Sequence, residues 1–127
     1  MKKYVLALAM SFAFVATLAG VSAAAGDAAA GEALYNGKGG CKNCHKLDDK
    51  AVVGPGLKGV TARRNDAWHT TWLTDPQKTW EANDADTQKL KQWKPGRDKA
   101  PKTAMRIPVK LSADEVANLI AFLHKNG

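Results

Sequence analysis

Residues 40–46 of the chain read Gly-Cys-Lys-Asn-Cys-His-Lys. Within this stretch Cys41, Cys44 and His45 form the pattern Cys-x-x-Cys-His, which is typical of covalent haem attachment. The spacing of the cysteines allows one helical turn to bring both thiols to the edge of one porphyrin ring, where they can form thioether bonds. His45 follows directly and can turn its imidazole under the iron. The motif therefore predicts one covalently bound haem c, with His45 as an iron ligand.

Paired cysteines also occur in zinc sites and in disulfide oxidoreductases. A structural zinc ion takes four protein ligands, but the chain has no further cysteine, and His69 and His124 do not stand at zinc-finger spacing. A disulfide oxidoreductase places its cysteines between a strand and a helix, and no buried strand is predicted before Cys41. The sequence thus favours haem over both alternatives.

The amino-terminal segment has the three regions of a secretory signal peptide. Lys2 and Lys3 precede an apolar run over residues 4–21, and the small residues Ser22-Ala23-Ala24-Ala25 follow it. This order predicts export from the cytoplasm.

An uncleaved membrane anchor is the alternative, because the apolar run approaches the roughly 20 residues that span a bilayer. Ser11 and Thr17 weaken this alternative by adding hydroxyl groups to the run. We therefore predict that residues 1–23 are a signal peptide, with cleavage as late as Ala25 also allowed. Residues 24–127 are predicted to form one periplasmic domain without stable membrane insertion.

The sequence carries a formal net charge of +7, from 19 Lys and Arg against 12 Asp and Glu. Loss of Lys2 and Lys3 with the signal peptide leaves +5 on about a hundred residues, enough for one domain with a modest core. The lysines are scattered rather than clustered, and no stripe of interleaved aromatic and basic residues indicates nucleic acid. The charge favours acidic protein partners, although an ordinary solvated surface has the same composition.

Two helices are predicted at the ends of the domain. The first covers residues 27–36, with Asp27 as its N-cap, and Gly31 inside it indicates close approach by another helix. The second follows Ser112, which forms a capping box with Glu115. Its apolar residues recur at helical spacing: Val116, Leu119, Ile120 and Leu123.

The middle of the chain is predicted to contain two shorter helices. Asn65 caps the first, which ends near Thr74, and Pro76 marks the exit of the chain from it. The second starts at Asn83 and continues to about Trp93.

Five groups of residues follow one another along the domain. They are Gly31 and Tyr35 in the first helix, Cys41-Lys42-Asn43-Cys44-His45, Gly54-Pro55-Gly56-Leu57-Lys58-Gly59, Pro101-Lys102-Thr103-Ala104-Met105, and Leu119-Ile120-Ala121-Phe122-Leu123. This order resembles that of the class I c-type cytochromes, small monohaem electron carriers. The resemblance implies an all-α cytochrome c fold, in which the N- and C-terminal helices cross around one covalently bound haem.

The resemblance also implies roles for residues outside the haem motif. The Pro55 carbonyl would accept a hydrogen bond from the second ring nitrogen of His45 and orient the ring. On turn chemistry alone, the glycines around Pro55 indicate only a tight surface turn. Arg63 and Arg64 would pair with haem propionates, although solvated arginines fit the sequence equally well.

Four tryptophans fall in the middle of the chain: Trp68, Trp72, Trp80 and Trp93. They are predicted to form core or the walls of a haem pocket, because aromatic rings bury well against a large apolar face. Trp72 is our candidate for direct contact with haem. Surface docking by Trp68 or Trp80 is the alternative.

Met105 is the only methionine outside the predicted signal peptide, and it lies in a loop between Pro101 and Pro108. A single methionine often serves as flexible core filling. The loop context and the resemblance together favour it as the sixth iron ligand. His69, His124 or a vacant position remain the alternatives.

Ligation by His45 and Met105 would fill both axial positions and leave no room for a substrate at the iron. The sequence therefore predicts a monomeric periplasmic carrier that moves one electron at a time between a donor and an acceptor protein, and not an enzyme. One alternative is a small-ligand sensor or peroxidase-type haem protein with an open iron site. Another is the haem subunit of a larger periplasmic oxidoreductase.

Overall fold

The computed structural model describes residues 26–127, so the predicted signal peptide lies outside the described residues. Six α-helices follow in order: α1 Ala28–Asn36, α2 Val60–Arg63, α3 Asp66–Thr74, α4 Pro76–Ala82, α5 Ala85–Lys91 and α6 Ala113–Asn126. Short 3₁₀ turns cover Cys41–Asn43 and Arg97–Lys99. The described residues contain no β-strand beyond one isolated bridge between His45 and Ala51. The predicted all-α class is confirmed.

Helices α1 and α6 pack against each other more extensively than any other pair of elements. A Cβ atom added to Gly31 would lie 2.0 Å from the carbonyl oxygen of Asn118, so the two backbones approach as closely as glycine allows. Four residues after Gly31, the ring of Tyr35 packs on Phe122 with centroids 5.2 Å apart. The predicted crossing of the terminal helices is therefore confirmed.

Both terminal helices begin as their sequence signals predict. The side chain of Asp27 accepts hydrogen bonds from the first turn of α1, which satisfies amide groups that otherwise have no partner. At the start of α6, Ser112 and Glu115 each accept a hydrogen bond from the backbone N–H of the other. Leu111 and Val116 beside this box are both buried, as expected of a hydrophobic staple.

The middle of the chain holds three helices rather than the predicted two. Helix α3 agrees with the prediction, but Pro76 begins α4 instead of marking only an exit, because proline suits a first helical position whose N–H needs no partner. Asn83 does not start a helix. It ends α4 in the left-handed conformation, with φ of 53°, and Asp84 caps α5.

The core lies between the crossed terminal helices and the tryptophan-bearing helices α3 and α4. Its buried apolar residues are Leu34, Tyr35, Val60, Trp68, Trp72, Leu73, Trp80, Leu111, Val116, Leu119, Ile120, Phe122 and Leu123. Among residues 26–127, no helix combines the length and the apolar character needed to cross a bilayer.

Candidate functional site

A cavity of about 510 Å³ opens beside this core. Its mostly apolar walls come from the Cys41–Asn43 turn, the loop over residues 49–56, helices α2 to α5 and the loop around Met105. A volume of this size suits a small-molecule ligand or cofactor. All the site residues named from the sequence line this one cavity: Cys41, Cys44, His45, Pro55, Arg63, Trp72 and Met105.

The two cysteines are free and half-buried on the first wall of the cavity. The N–H groups of Cys44 and His45 both donate to the Cys41 carbonyl, at 3.1 and 2.9 Å, which produces the single helical turn expected of the motif. Burial raises the pKa of the Cys41 thiol, and the neighbouring Cys44 raises it further. Within residues 26–127, no three His, Cys, Asp or Glu side chains gather as a metal-binding group.

Two neighbouring residues of one loop, Gly54 and Pro55, orient the imidazole of His45. Its Nδ1 lies 2.8 Å from the Pro55 carbonyl oxygen, the contact that the family resemblance implies. Because a carbonyl only accepts, Nδ1 carries the proton and Nε2 keeps a lone pair for a metal. A Cβ on Gly54 would lie 2.5 Å from Cε1 of the ring, so only glycine lets the loop pack this closely. Tyr35 also donates to the His45 carbonyl, at 2.7 Å.

Met105 is half-buried in the loop on another wall of the cavity. The Trp72 indole Nε1 donates to its sulfur at 3.0 Å. The backbone N–H of Met105 donates to the Thr103 hydroxyl, and the Thr103 N–H donates to the Gln77 side chain on α4. Contacts from α3 and α4 therefore fix the position of a loop that has no regular structure of its own.

The tryptophans form one aromatic wall. The rings of Trp68 and Trp72 are stacked, with centroids 5.3 Å apart and an angle of 12° between their planes. The ring centroids of Trp72 and Trp80 are 6.5 Å apart. Trp68 and Trp80 are only 7% and 3% exposed, so the alternative that they dock a partner at the surface is wrong. Each also finds a hydrogen-bond acceptor for its indole N–H, at Thr87 and Ala100 respectively.

Neither of the other two histidines presents a free imidazole to the cavity. His69 is buried on the wall, where its Nε2 lies 3.2 Å from the Val60 carbonyl oxygen. Burial lowers its pKa, which favours the neutral ring in the folded protein. His124 lies at the surface, 2.7 Å from the Asp66 carboxylate. Both alternatives to Met105 are thus engaged elsewhere.

Arg63 and Arg64 line the cavity but already have partners. Arg63 is exposed and donates to the carbonyl groups of Gly56 and Lys58. Arg64 donates to the Asp86 carbonyl at 3.2 Å and lies over the Trp68 ring. Burial lowers the pKa of Arg64, and the charge of Arg63 lowers it further.

Three further cations line the cavity wall, although the sequence did not identify them as site residues. They are Lys89, Arg97 and Arg106, which face the cavity only because the chain returns past α4. Arg97 lies over the Trp80 ring, 5.2 Å from its centroid. With Arg63 and Arg64, five cations and a single acid, Asp49, line the cavity. The aromatic wall suits a ligand with a flat apolar face, and the positive charge suits a ligand with anionic groups.

The Cytochrome c family model matches residues 28–127. The chain belongs to the cytochrome c family. It is 36% identical over 129 residues to cytochrome c-554 of Methylosinus trichosporium, a match that covers 96% of this chain and 91% of that protein. A shorter match, 55% identical over 38 residues, joins 30% of the chain to 18% of the cytochrome c-type cyt cy of Rhodobacter capsulatus. No solved structure shows significant similarity.

Membership of this family identifies the protein as a class I c-type cytochrome, a haem-based electron carrier with covalently bound haem c. The cavity fits that cofactor on three independent counts. Its wall holds the paired free thiols, its aromatic residues offer a flat apolar surface, and its cations match two propionates.

Proposed function

We propose that the protein is a periplasmic one-electron carrier in which His45 and Met105 hold the two axial positions of the haem iron. Haem c supplies an iron that alternates between ferric and ferrous states. A reduced donor protein loses one electron to the carrier, which later gives that electron to an oxidised acceptor. No bond is made or broken in a substrate, so the protein is not an enzyme.

The observation that carries this proposal is that the two ligand side chains are held separately on the wall of one cavity. Pro55 holds the His45 ring with Nδ1 protonated, and Trp72 holds the Met105 sulfur. Side chains fixed before the electron arrives need little rearrangement when the iron changes charge. A carrier that exchanges electrons rapidly requires this rigidity.

The remaining site residues have supporting roles in the proposal. Cys41 and Cys44 form the thioether bonds, which keep the cofactor in place after denaturation. Trp72 and its neighbours exclude water from the cavity, and Arg63 lies where it can face a propionate. Met105 contributes a soft, neutral sulfur, which favours ferrous iron and keeps the reduction potential high.

We further propose that residues 1–23 direct export and are removed, and that residues 24–127 work as a soluble monomer in the periplasm. Between docking events such a carrier must diffuse freely, which stable membrane insertion would prevent. Its partners are redox proteins with acidic surfaces, since the domain keeps a net charge of +5. Nucleic acid is not a partner in this proposal.

Carbon monoxide tests the ligation, because it binds ferrous haem only where an axial position is open. The reduced wild-type protein should give the same spectrum with and without carbon monoxide, whereas Met105→Ala should change its spectrum at once. Ile107→Ala is the matched control, because Ile107 is half-buried on the same wall and has no ligand atom. If the wild type binds carbon monoxide as readily as Met105→Ala, the open-iron sensor or peroxidase explanation replaces the carrier.

A further inference from the structure

Lys91, the last residue of α5, is the only lysine buried within residues 26–127, with 8% of its surface exposed. Lysine is rarely buried unless its charge is compensated, because the ammonium loses its hydration. Yet none of the described carboxylates forms an ion pair with Lys91. The chain therefore holds this side chain inside the fold by other means.

The ammonium of Lys91 is held by groups that carry no charge. Its Nζ donates to the Trp80 carbonyl at 3.0 Å and to Oδ1 of Asn83 at 2.7 Å. The same nitrogen lies 4.5 Å from the centroid of the Trp80 ring. The Trp80 carbonyl belongs to the last turn of α4, where carbonyls lack helical partners and a cation is favoured. Two acceptors and an aromatic face suit a charged ammonium, which only donates.

The acids that neighbour these two acceptors in the chain have other hydrogen-bond partners. Glu81 accepts a hydrogen bond from the Gln77 side chain. Asp84 caps α5 by accepting from the backbone N–H of Thr87. The positive charge of Lys91 is therefore stabilised by dipoles but is not cancelled by a paired carboxylate.

Trp80 links Lys91 to the cofactor site. Its side chain lines the cavity and is only 3% exposed, so Lys91 contacts a buried ring that forms part of the cavity wall. A charge in such surroundings is screened much less than a charge in water. Arg97 approaches the same ring, at 5.2 Å, but it is half-exposed and water screens its charge.

We propose that the buried ammonium of Lys91 raises the reduction potential of the haem. Reduction adds one electron to the centre, so a fixed cation nearby stabilises the reduced state relative to the oxidised state. This role rests on the proposed carrier function and helps to set its driving force. Met105 favours the reduced state through a bond to the iron, whereas Lys91 acts through space.

Replacement of Lys91 by methionine tests the role of the charge, because methionine is also long and unbranched but is neutral. In spectroelectrochemical titrations, Lys91→Met should lower the equilibrium constant for reduction about tenfold, which is about 59 mV for one electron. Lys91→Arg keeps the charge and should change this constant less than about twofold. Rescue by arginine is not expected if only the shape of the lysine side chain matters.

Lys78→Met is the matched control. Lys78 lies in α4, the helix whose end Lys91 contacts, and it is exposed. The variant loses the same net charge, but water screens that charge, so the constant should change less than about twofold. An equal change in Lys78→Met or in Lys91→Arg would overturn the proposed role, because net charge or packing would then explain the result.

Denaturant unfolding of the haem-loaded protein in both oxidation states provides a second measurement. Lys91→Met should lower the folding equilibrium constant of the reduced protein about tenfold more than that of the oxidised protein. Equal losses in the two states would overturn the proposed role, because Lys91 would then only cap α4. If Lys91→Met does not fold, Lys91→Gln carries the same expectations, since glutamine is neutral and can still donate.

The carrier function and the role of Lys91 can fail separately. Carbon monoxide binding by the reduced wild type would refute the carrier with its two axial ligands. An unchanged potential in Lys91→Met, with no binding of carbon monoxide, would overturn only the role of Lys91.

Discussion

The indole nitrogen of Trp72 lies 3.0 Å from the sulfur of Met105, although 33 positions separate the two residues in the chain. An indole N–H only donates, so it occupies one lone pair of the sulfur and leaves the other for a metal. Trp72 is buried in α3, whereas Met105 belongs to a loop. The contact therefore transfers the rigidity of a packed helix to the proposed ligand.

Replacement of Trp72 by phenylalanine should lower the reduction potential. It should also let carbon monoxide compete for the ferrous iron, because it removes the contact that holds the Met105 loop in position. The hydrogen bond withdraws electron density from the sulfur, so its loss makes Met105 a stronger donor and favours ferric iron. Because such a bond is worth about 1 kcal/mol, the shift should be on the order of tens of millivolts. Potentiometry and carbon monoxide difference spectra measure the two effects.

Trp80→Phe is the control for this experiment. Trp80 lines the same cavity and is also buried, but its indole donates to the Ala100 carbonyl at 2.9 Å. Trp80→Phe should destabilise the fold without opening the iron to carbon monoxide. Equal effects of both variants on potential and on carbon monoxide binding would show that Trp72 contributes only packing.

Features that depend on local sequence could be predicted before the structure was known. The Cys41–Cys44 spacing fixes a helical turn by itself, and the caps at Asp27 and Ser112 act within one turn of their own helices. The close contact at Gly31 could also be inferred, because a glycine inside a helix usually has a packing reason.

Features that depend on distant parts of the chain could not be predicted in the same way. Asn83 carries equally good signals for starting a helix and for ending one, and only the packing of α4 decides between them. The hydrogen bond from Trp72 to Met105 could not be predicted either, because no local pattern joins α3 to a loop 33 residues later. Arg97 and Arg106 reach the cavity for the same topological reason.

Gly31→Ala should destabilise the protein even though alanine is the better helix former. The added methyl group would lie 2.0 Å from the Asn118 carbonyl oxygen and 2.7 Å from Cβ of Phe122, so α1 and α6 must move apart. Overpacking of this kind costs about 1 to 3 kcal/mol, whereas the gain in helix propensity is about 1 kcal/mol. Denaturant unfolding of the haem-loaded protein measures the difference.

Ala33→Gly is the companion variant for Gly31→Ala, because Ala33 lies in the same helix but is exposed. Ala33→Gly should lower the free energy of unfolding by about 1 kcal/mol through the poorer helix propensity of glycine alone. If Gly31→Ala instead stabilises the protein by a similar amount, propensity dominates and the two helices do not meet at Gly31 as described.

The buried ring of His69 should make stability fall in mild acid. Burial lowers its pKa below the ordinary value of 6.5, and Arg64 lowers it further, while the Val60 carbonyl and Asp66 act in the opposite direction. Below about pH 6.5 the unfolded chain takes up a proton that the folded ring resists. More protons are then bound in the unfolded state, so the free energy of unfolding decreases as the pH falls.

His69→Gln should remove this part of the pH dependence, because glutamine can still donate to the Val60 carbonyl but has no proton to gain. One proton contributes a slope of up to about 1.4 kcal/mol per pH unit. We therefore expect the wild type to lose more stability than the variant between pH 7 and pH 5. Carboxylates such as Asp84, whose pKa is lowered by hydrogen bonds from Thr87, affect both proteins alike. Parallel stability curves for the two proteins over this range would mean that His69 takes up its proton as readily in the folded protein as in the unfolded chain, and is not held as a buried neutral ring.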